Sequence, residues 1–217
     1  MRLVDRHEER VNAATHALGL AGGMVAAVVL VGAAAQRGGP WQVWGCSIYA
    51  VTLVAAFAAS TLSHLFSSRR LREAFRATDQ AVIFLFIAGS YTPIALTWMR
   101  GGPWWWLLHA LVWSVALAGF IAKAVFSHNV QLGTVSTFMY LLLGWLPIPV
   151  AWLLLGDFPV GLVVWLVAGG LCYTLGTVFF RFDHRVRYFH SVWHVMVLAG
   201  SACHYAGILL YCTAEPA

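Results

Sequence analysis

The chain has 217 residues, 61% of them hydrophobic and 10% charged, and a formal net charge of +5; its mean hydropathy is +0.77. That composition excludes a soluble globular domain. Apolar runs of about 20 residues, each enough to cross a bilayer core of roughly 30 Å, recur along the whole length. They predict one domain, 1–217, of seven transmembrane helices at roughly 13–35, 41–66, 79–99, 104–124, 132–155, 160–180 and 189–212.

Helix 1 follows three basic residues and ends near Ala33-Ala34-Ala35, a pattern shared with cleavable signal peptides. Its run is long for a signal and carries Asn12, Thr15 and His16 at its start, so it is read as a retained first span. Helix 2 ends in Ser60 and His64, and helix 3 begins at Asp79. Tyr91-Thr92-Pro93 predicts a kink in helix 3, as Pro147 and Pro149 do in helix 5. Helix 4 ends with the chain's only lysine, Lys123. Helix 7 opens on His190 and His194 and carries His204 further along.

Placing the N-terminus in the cytoplasm puts Arg2, Arg6, Arg10, Arg69, Arg70, Arg72, Arg76, Lys123, Arg181, Arg185 and Arg187 inside. These are 11 of the 13 basic residues; only Arg37 and Arg100 fall outside. The bias predicts an N-in, C-out bundle by the positive-inside rule, and it accounts for the net charge without nucleic acid. Trp41, Trp44, Trp98, Trp104, Trp105, Trp106 and Trp152 then lie near outer helix ends, as an interfacial belt. Cys46, Cys172, Cys203 and Cys212 show no CxxC spacing and read as small apolar residues rather than a disulfide or thiolate site.

With that topology, the end of helix 2 and the starts of helices 3 and 7 share one depth in the inner leaflet. Ser60 and His64 are i and i+4, as are His190 and His194, so each pair occupies one helix face. Taken singly, His64 is an interhelical hydrogen-bonding group, Asp79 a helix cap and Ser60 a small interface residue. Jointly they suit a metal. Three neutral imidazoles with an open position is the pattern of catalytic zinc, with Zn–N about 2.0–2.1 Å. Asp79 is the candidate to hold a water or take its proton, and Ser60 to position it. His204 lies about 15 Å beyond His194 by helical rise, too far for the same ion. It reads as lining a polar interior or pairing with another helix. His16 and Asn12 are candidates to support the site from helix 1. His109, His128 and His184 read as interface or loop residues. A lone lysine on helix 4 excludes a retinal Schiff base on the last helix, and the N-in orientation opposes a G-protein-coupled receptor.

At these residues the chain resembles the hemolysin III family, the bacterial branch of the progestin and adiponectin receptor superfamily. The resemblance rests on ERVNAATHALG, STLSH, ATDQAVIFLFIAGSYTP and HSVWHVMVLAGSACH. It implies a seven-helix, N-in bundle in a bacterial inner membrane, with zinc near the cytoplasmic side held by His64, His190 and His194. Asp79 is then the water-associated carboxylate, Ser60 the neighbouring hydroxyl, and His204 lies outside the metal set. Gln80 departs from the histidine that follows the aspartate in many bacterial members. The resemblance implies ceramidase-like chemistry in the related receptors, and haemolysis or control of membrane fluidity and energetics in bacterial members. The leading expectation is a zinc-dependent hydrolase of a lipid amide or ester, with a membrane lipid or fatty acid as substrate or ligand. A lipid or fatty-acid sensor with structural zinc, and a transporter or pore, are the alternatives.

Overall fold

The computed structural model describes residues 6–66, 68–126, 130–146 and 159–216. Among them are seven α-helices and no strand: α1 (Arg6–Arg37), α2 (Pro40–Leu65), α3 (Arg69–Ile94), α4 (Trp105–Val125), α5 (Val130–Trp145), α6 (Val160–Phe182) and α7 (Phe189–Tyr211). A π-helical turn, Ala95–Met99, continues α3. Six helices are long and apolar enough to cross a membrane; the described apolar part of α5 is shorter, Val135–Trp145. The protein is an all-α, multi-pass membrane protein. The expected remainder of helix 5, with Pro147, Pro149 and Trp152, lies outside the described residues, as does His128.

Two helices start earlier than hydropathy predicts. α1 begins at Arg6 and α3 at Arg69, rather than near 13 and 79. Hydropathy reports contact with lipid, whereas helix formation also follows propensity. Leu71, Arg72, Glu73 and Ala74 are all good helix formers. Glu8 and Glu9 occupy the first turn of α1, where carboxylates favour the helix dipole. Asp79 consequently sits about 15 Å inside α3 by helical rise, and it caps nothing. Pro93 is within α3, and the π turn follows it directly. Proline lacks the amide hydrogen needed for the ladder, which accounts for irregular winding at that point.

α1 packs against both α2 and α7, α3 against α2 and α4, and α6 against α7. One core cluster joins Leu30, Tyr49, Leu53 and Phe57 to Leu162 and Ile208; a second joins Phe84, Tyr91 and Met99 to Val112 and Ala116. α6 and α7 approach closely at Gly169, where an added Cβ would meet the His204 ring at 2.3 Å and the Gly200 carbonyl oxygen at 3.0 Å. Small residues permit such approach in membrane bundles. Outward positions such as Leu18, Val28 and Val51 are exposed and apolar, as lipid contact requires. Trp41, Trp44, Trp104 and Trp106 are exposed, whereas Trp98 donates from Nε1 to the Tyr211 carbonyl at 3.0 Å and Trp105 packs beside His109. All four cysteines are free thiols, with Cys46 and Cys212 buried.

Candidate metal centre

His64 on α2 and the pair His190 and His194 on α7 converge at one end of the bundle. One ligand atom from each lies within 4.8 Å of the others. The ring centroids are 4.5 Å apart for His190 and His194, 5.3 Å for His64 and His190, and 5.1 Å for His64 and His194. The i,i+4 spacing aligns the α7 pair, and α1, wedged against both α2 and α7, fixes the gap to His64.

The Nδ1 atom of each ring is already engaged. His64 Nδ1 is 2.7 Å from Glu9 Oε2, and His190 Nδ1 is 2.8 Å from Asp183 Oδ2. His194 Nδ1 lies 3.3 Å from the Asn12 carbonyl oxygen and 3.2 Å from Thr15 Oγ1. An imidazole that donates from Nδ1 presents the Nε2 lone pair on its far side, the usual arrangement of a ligating histidine. His64 Nε2 is buried with no hydrogen-bond partner among the described residues. A buried nitrogen is rarely left so, and a cation would supply the missing partner. Three imidazole nitrogens within 4.8 Å, with Nδ1 held by acceptors, fit Zn²⁺ in the manner of an open site.

Two of these partners lie beyond the reach of hydropathy. Glu9 falls in the added turns of α1, so Asp79 is not the only acidic residue within a span. Its other oxygen, Oε1, accepts from Arg76 Nη2 at 3.1 Å, an arginine in the added turns of α3. Asp183 stands in the α6–α7 connection. Glu9, Asn12 and His16 are spaced i, i+3, i+7 on one helix face, a signal that the sequence carries. Asp183, seven residues before His190, has no comparable mark.

Asp79 accepts from the Ser60 hydroxyl and lies beside that of Ser63, which donates to the Ser60 carbonyl at 2.8 Å. Ser60 is one turn before His64 and 3% exposed. Asn12 also accepts at Oδ1 from Ser191 Oγ at 2.6 Å. His16 packs on His194 with ring centroids 3.8 Å apart, and both its nitrogens are buried without a partner among the described residues. His204 is remote; its Nε2 donates to the Leu166 carbonyl at 3.3 Å, pairing α7 with α6. His109 lies at a helix interface near Tyr91, and His184 is in the α6–α7 connection.

His64, His190, Asp79 and Ser60 line a cavity of about 480 Å³ that runs into the bundle as far as His204. Beyond the polar end its walls are mostly apolar, with Ile83, Phe86, Ile87, Leu141 and Val197 among them.

A family model described as Haemolysin-III related matches residues 4–205, spanning every residue of this cluster. The chain belongs to the haemolysin-III related family. It is 34% identical over 209 residues to a Hemolysin-3 homolog of Bacillus subtilis (strain 168), covering 96% of each chain. It is 33% identical to Hemolysin-3 of Bacillus cereus, covering 94% of this chain and 91% of that one. It is also 33% identical to the Monocyte to macrophage differentiation factor of Homo sapiens, over 81% of this chain and 74% of that one. The haemolysin-III relationship thus extends over all seven described helices.

Proposed function

We propose that this haemolysin-III related protein is a zinc-dependent hydrolase of a lipid amide or ester in the bacterial inner membrane. The observation that carries the reading is the convergence of the three histidines, two of which, His64 and His190, share with Asp79 and Ser60 the wall of one cavity whose remainder is mostly apolar. An apolar channel ending in a small polar group suits an acyl chain with its carbonyl at the polar end.

His64, His190 and His194 would hold the ion through Nε2. Zinc in such a site supplies a Lewis acid for the carbonyl and lowers the pKa of a coordinated water to about 7. Ser60 holds the Asp79 carboxylate by a hydrogen bond, which suits it to take a proton from water and return it to the departing amine or alcohol. The acyl carbon gains the water's hydroxyl as its bond to nitrogen or oxygen breaks. Glu9 and Asp183 keep the two ligand rings in the tautomer that exposes Nε2.

Metal analysis of purified protein should find zinc, lost in His64→Ala, His190→Ala and His194→Ala. Incubation with lipid amides and esters should show turnover, reduced about 10²–10⁴-fold in Asp79→Ala with zinc retained. Retained zinc without turnover on any of them would favour the sensor reading of the same site. Full-rate turnover in Asp79→Ala would remove Asp79 from the mechanism.

A further inference from the structure

The chain's only lysine has a place that positive-inside bias does not explain. A lysine serving that rule belongs on the lipid or solvent side of a helix end, with its ammonium snorkelling to water. Lys123 instead continues the buried stripe of α4 formed by Leu108, Val112 and Ala116, and it is 3% exposed. Its neighbours Ile121 and Val125 are the residues that face outward.

The stripe packs on α3 through Phe84, Ala88 and Tyr91, and at its end Lys123 lines the cavity together with Asp79, Gln80, Ser136 and Tyr140. Its depth follows from the packing of α4 on α3. The two helices are joined by a short connection and run antiparallel, and Gly119 lies against the Phe84 ring, where an added Cβ would come within 2.5 Å. One turn onward in α4 is Lys123, and one turn back in α3 is Gln80, next to Asp79. Tyr140 of α5 confirms the level: it packs on Phe84 at 4.6 Å and donates to the Gln80 carbonyl at 2.6 Å. The ammonium therefore stands at the polar end of the cavity, separated from the histidines by α3.

None of the ion pairs formed among the described residues involves Lys123. Burial of an ammonium that has no ion-pair partner among the described residues is costly, and leucine would satisfy the stripe without that cost. A ligand bearing the counter-charge resolves the conflict.

We propose that Lys123 is an anion-binding subsite of this cavity, so that the lipid it takes up carries a negatively charged phosphate or carboxylate at its polar end. The inference rests on the reading of the cavity as a lipid site, and it adds a headgroup class to it. Lys123 supplies a point charge with three donors, which fits either anion.

The test is titration of the full chain, in neutral maltoside detergent, with decyl phosphate, decanoate and decanol. It is repeated after zinc chelation, so that anion binding by the metal is absent from the comparison. Both anions, or either one, should bind about tenfold or more tightly than decanol, and Lys123→Met should remove that preference while leaving decanol unchanged. Lys123→Arg should retain it. Preference for phosphate identifies a lipid headgroup, and preference for carboxylate a fatty acid; both support the subsite. Decanol binding as tightly as both anions, or anion affinity unaltered in Lys123→Met, would overturn it. Because binding is read without turnover, a protein that hydrolyses nothing can still pass this test. One that hydrolyses neutral lipids and fails it leaves the hydrolase reading intact.

Discussion

At the scale of single residues, Glu9 is the side chain with the most consequences. It joins three helices: its own, α2 through His64, and α3 through Arg76. The two contacts differ in kind. The Arg76 guanidinium side is 49% exposed, and such a pair is screened by solvent and contributes little. The His64 side is enclosed, with a side-chain exposure of 4%, and there the carboxylate decides which ring nitrogen carries hydrogen. Loss of a partner that orients a ligating histidine lowers metal affinity about 10–100-fold. Glu9→Ala is therefore expected to weaken zinc binding by that factor in competition with a chelator, while Arg76→Ala leaves it nearly unchanged. Equal affinity in Glu9→Ala and the parent would reduce the contact to packing of helix ends.

Helices set which parts of this molecule are legible in its sequence. The histidine spacing on α7 and the Ser60–His64 spacing on α2 survive any shift in helix boundaries, because i,i+4 residues share a face wherever a helix starts. Glu9 and Arg76 do not survive it. They lie in polar turns that extend α1 and α3 beyond their apolar runs, and a reading based on lipid contact ends before them. Lys123 was visible only as a charge to be counted, since the face it occupies depends on how α4 packs. Helix packing also yields a prediction of its own at the α6–α7 contact. A side chain at Gly169 collides with the His204 ring and the Gly200 carbonyl, and overpacking of this sort costs about 1–3 kcal/mol. Gly169→Val is expected to lower the thermal midpoint in detergent by several degrees, whereas Gly22→Ala, with open space at its Cβ, leaves it unaltered. A midpoint unchanged in both would mean that α6 and α7 part without penalty.

For the molecule as a whole, the placement of charge carries more weight than its amount. By sequence position, eleven of the 13 basic residues fall in the N-terminal segment or near the helix ends on the side of the histidine cluster, and only Arg37 and Arg100 fall on the other side. A bundle so polarised resists inversion, because the basic connections are the ones retained in the cytoplasm. The cluster, Glu9, Asp183 and Lys123 all belong to this basic end; if that end faces the cytoplasm, as the positive-inside rule predicts, an anionic lipid would enter from the inner leaflet, where basic surfaces and acidic headgroups attract one another. The parity of the crossings makes this testable from outside the site. Six long spans are present in the described residues, with α5 as the element that makes the number odd. The start of α1 meets the head of α7 through Glu8 and Tyr188, whereas the end of α7 meets Gly38 and Trp98 at the other end of the bundle, so the ends of α1 and α7 that lead to the two termini lie on opposite sides. An alkaline phosphatase fused after the last residue is expected to be active, and a green fluorescent protein at the same point to be dark. The reverse pair of results would mean an inverted bundle. A second fusion within the α6–α7 connection is expected to give the opposite pair, since that connection shares its end of the bundle with the start of α1.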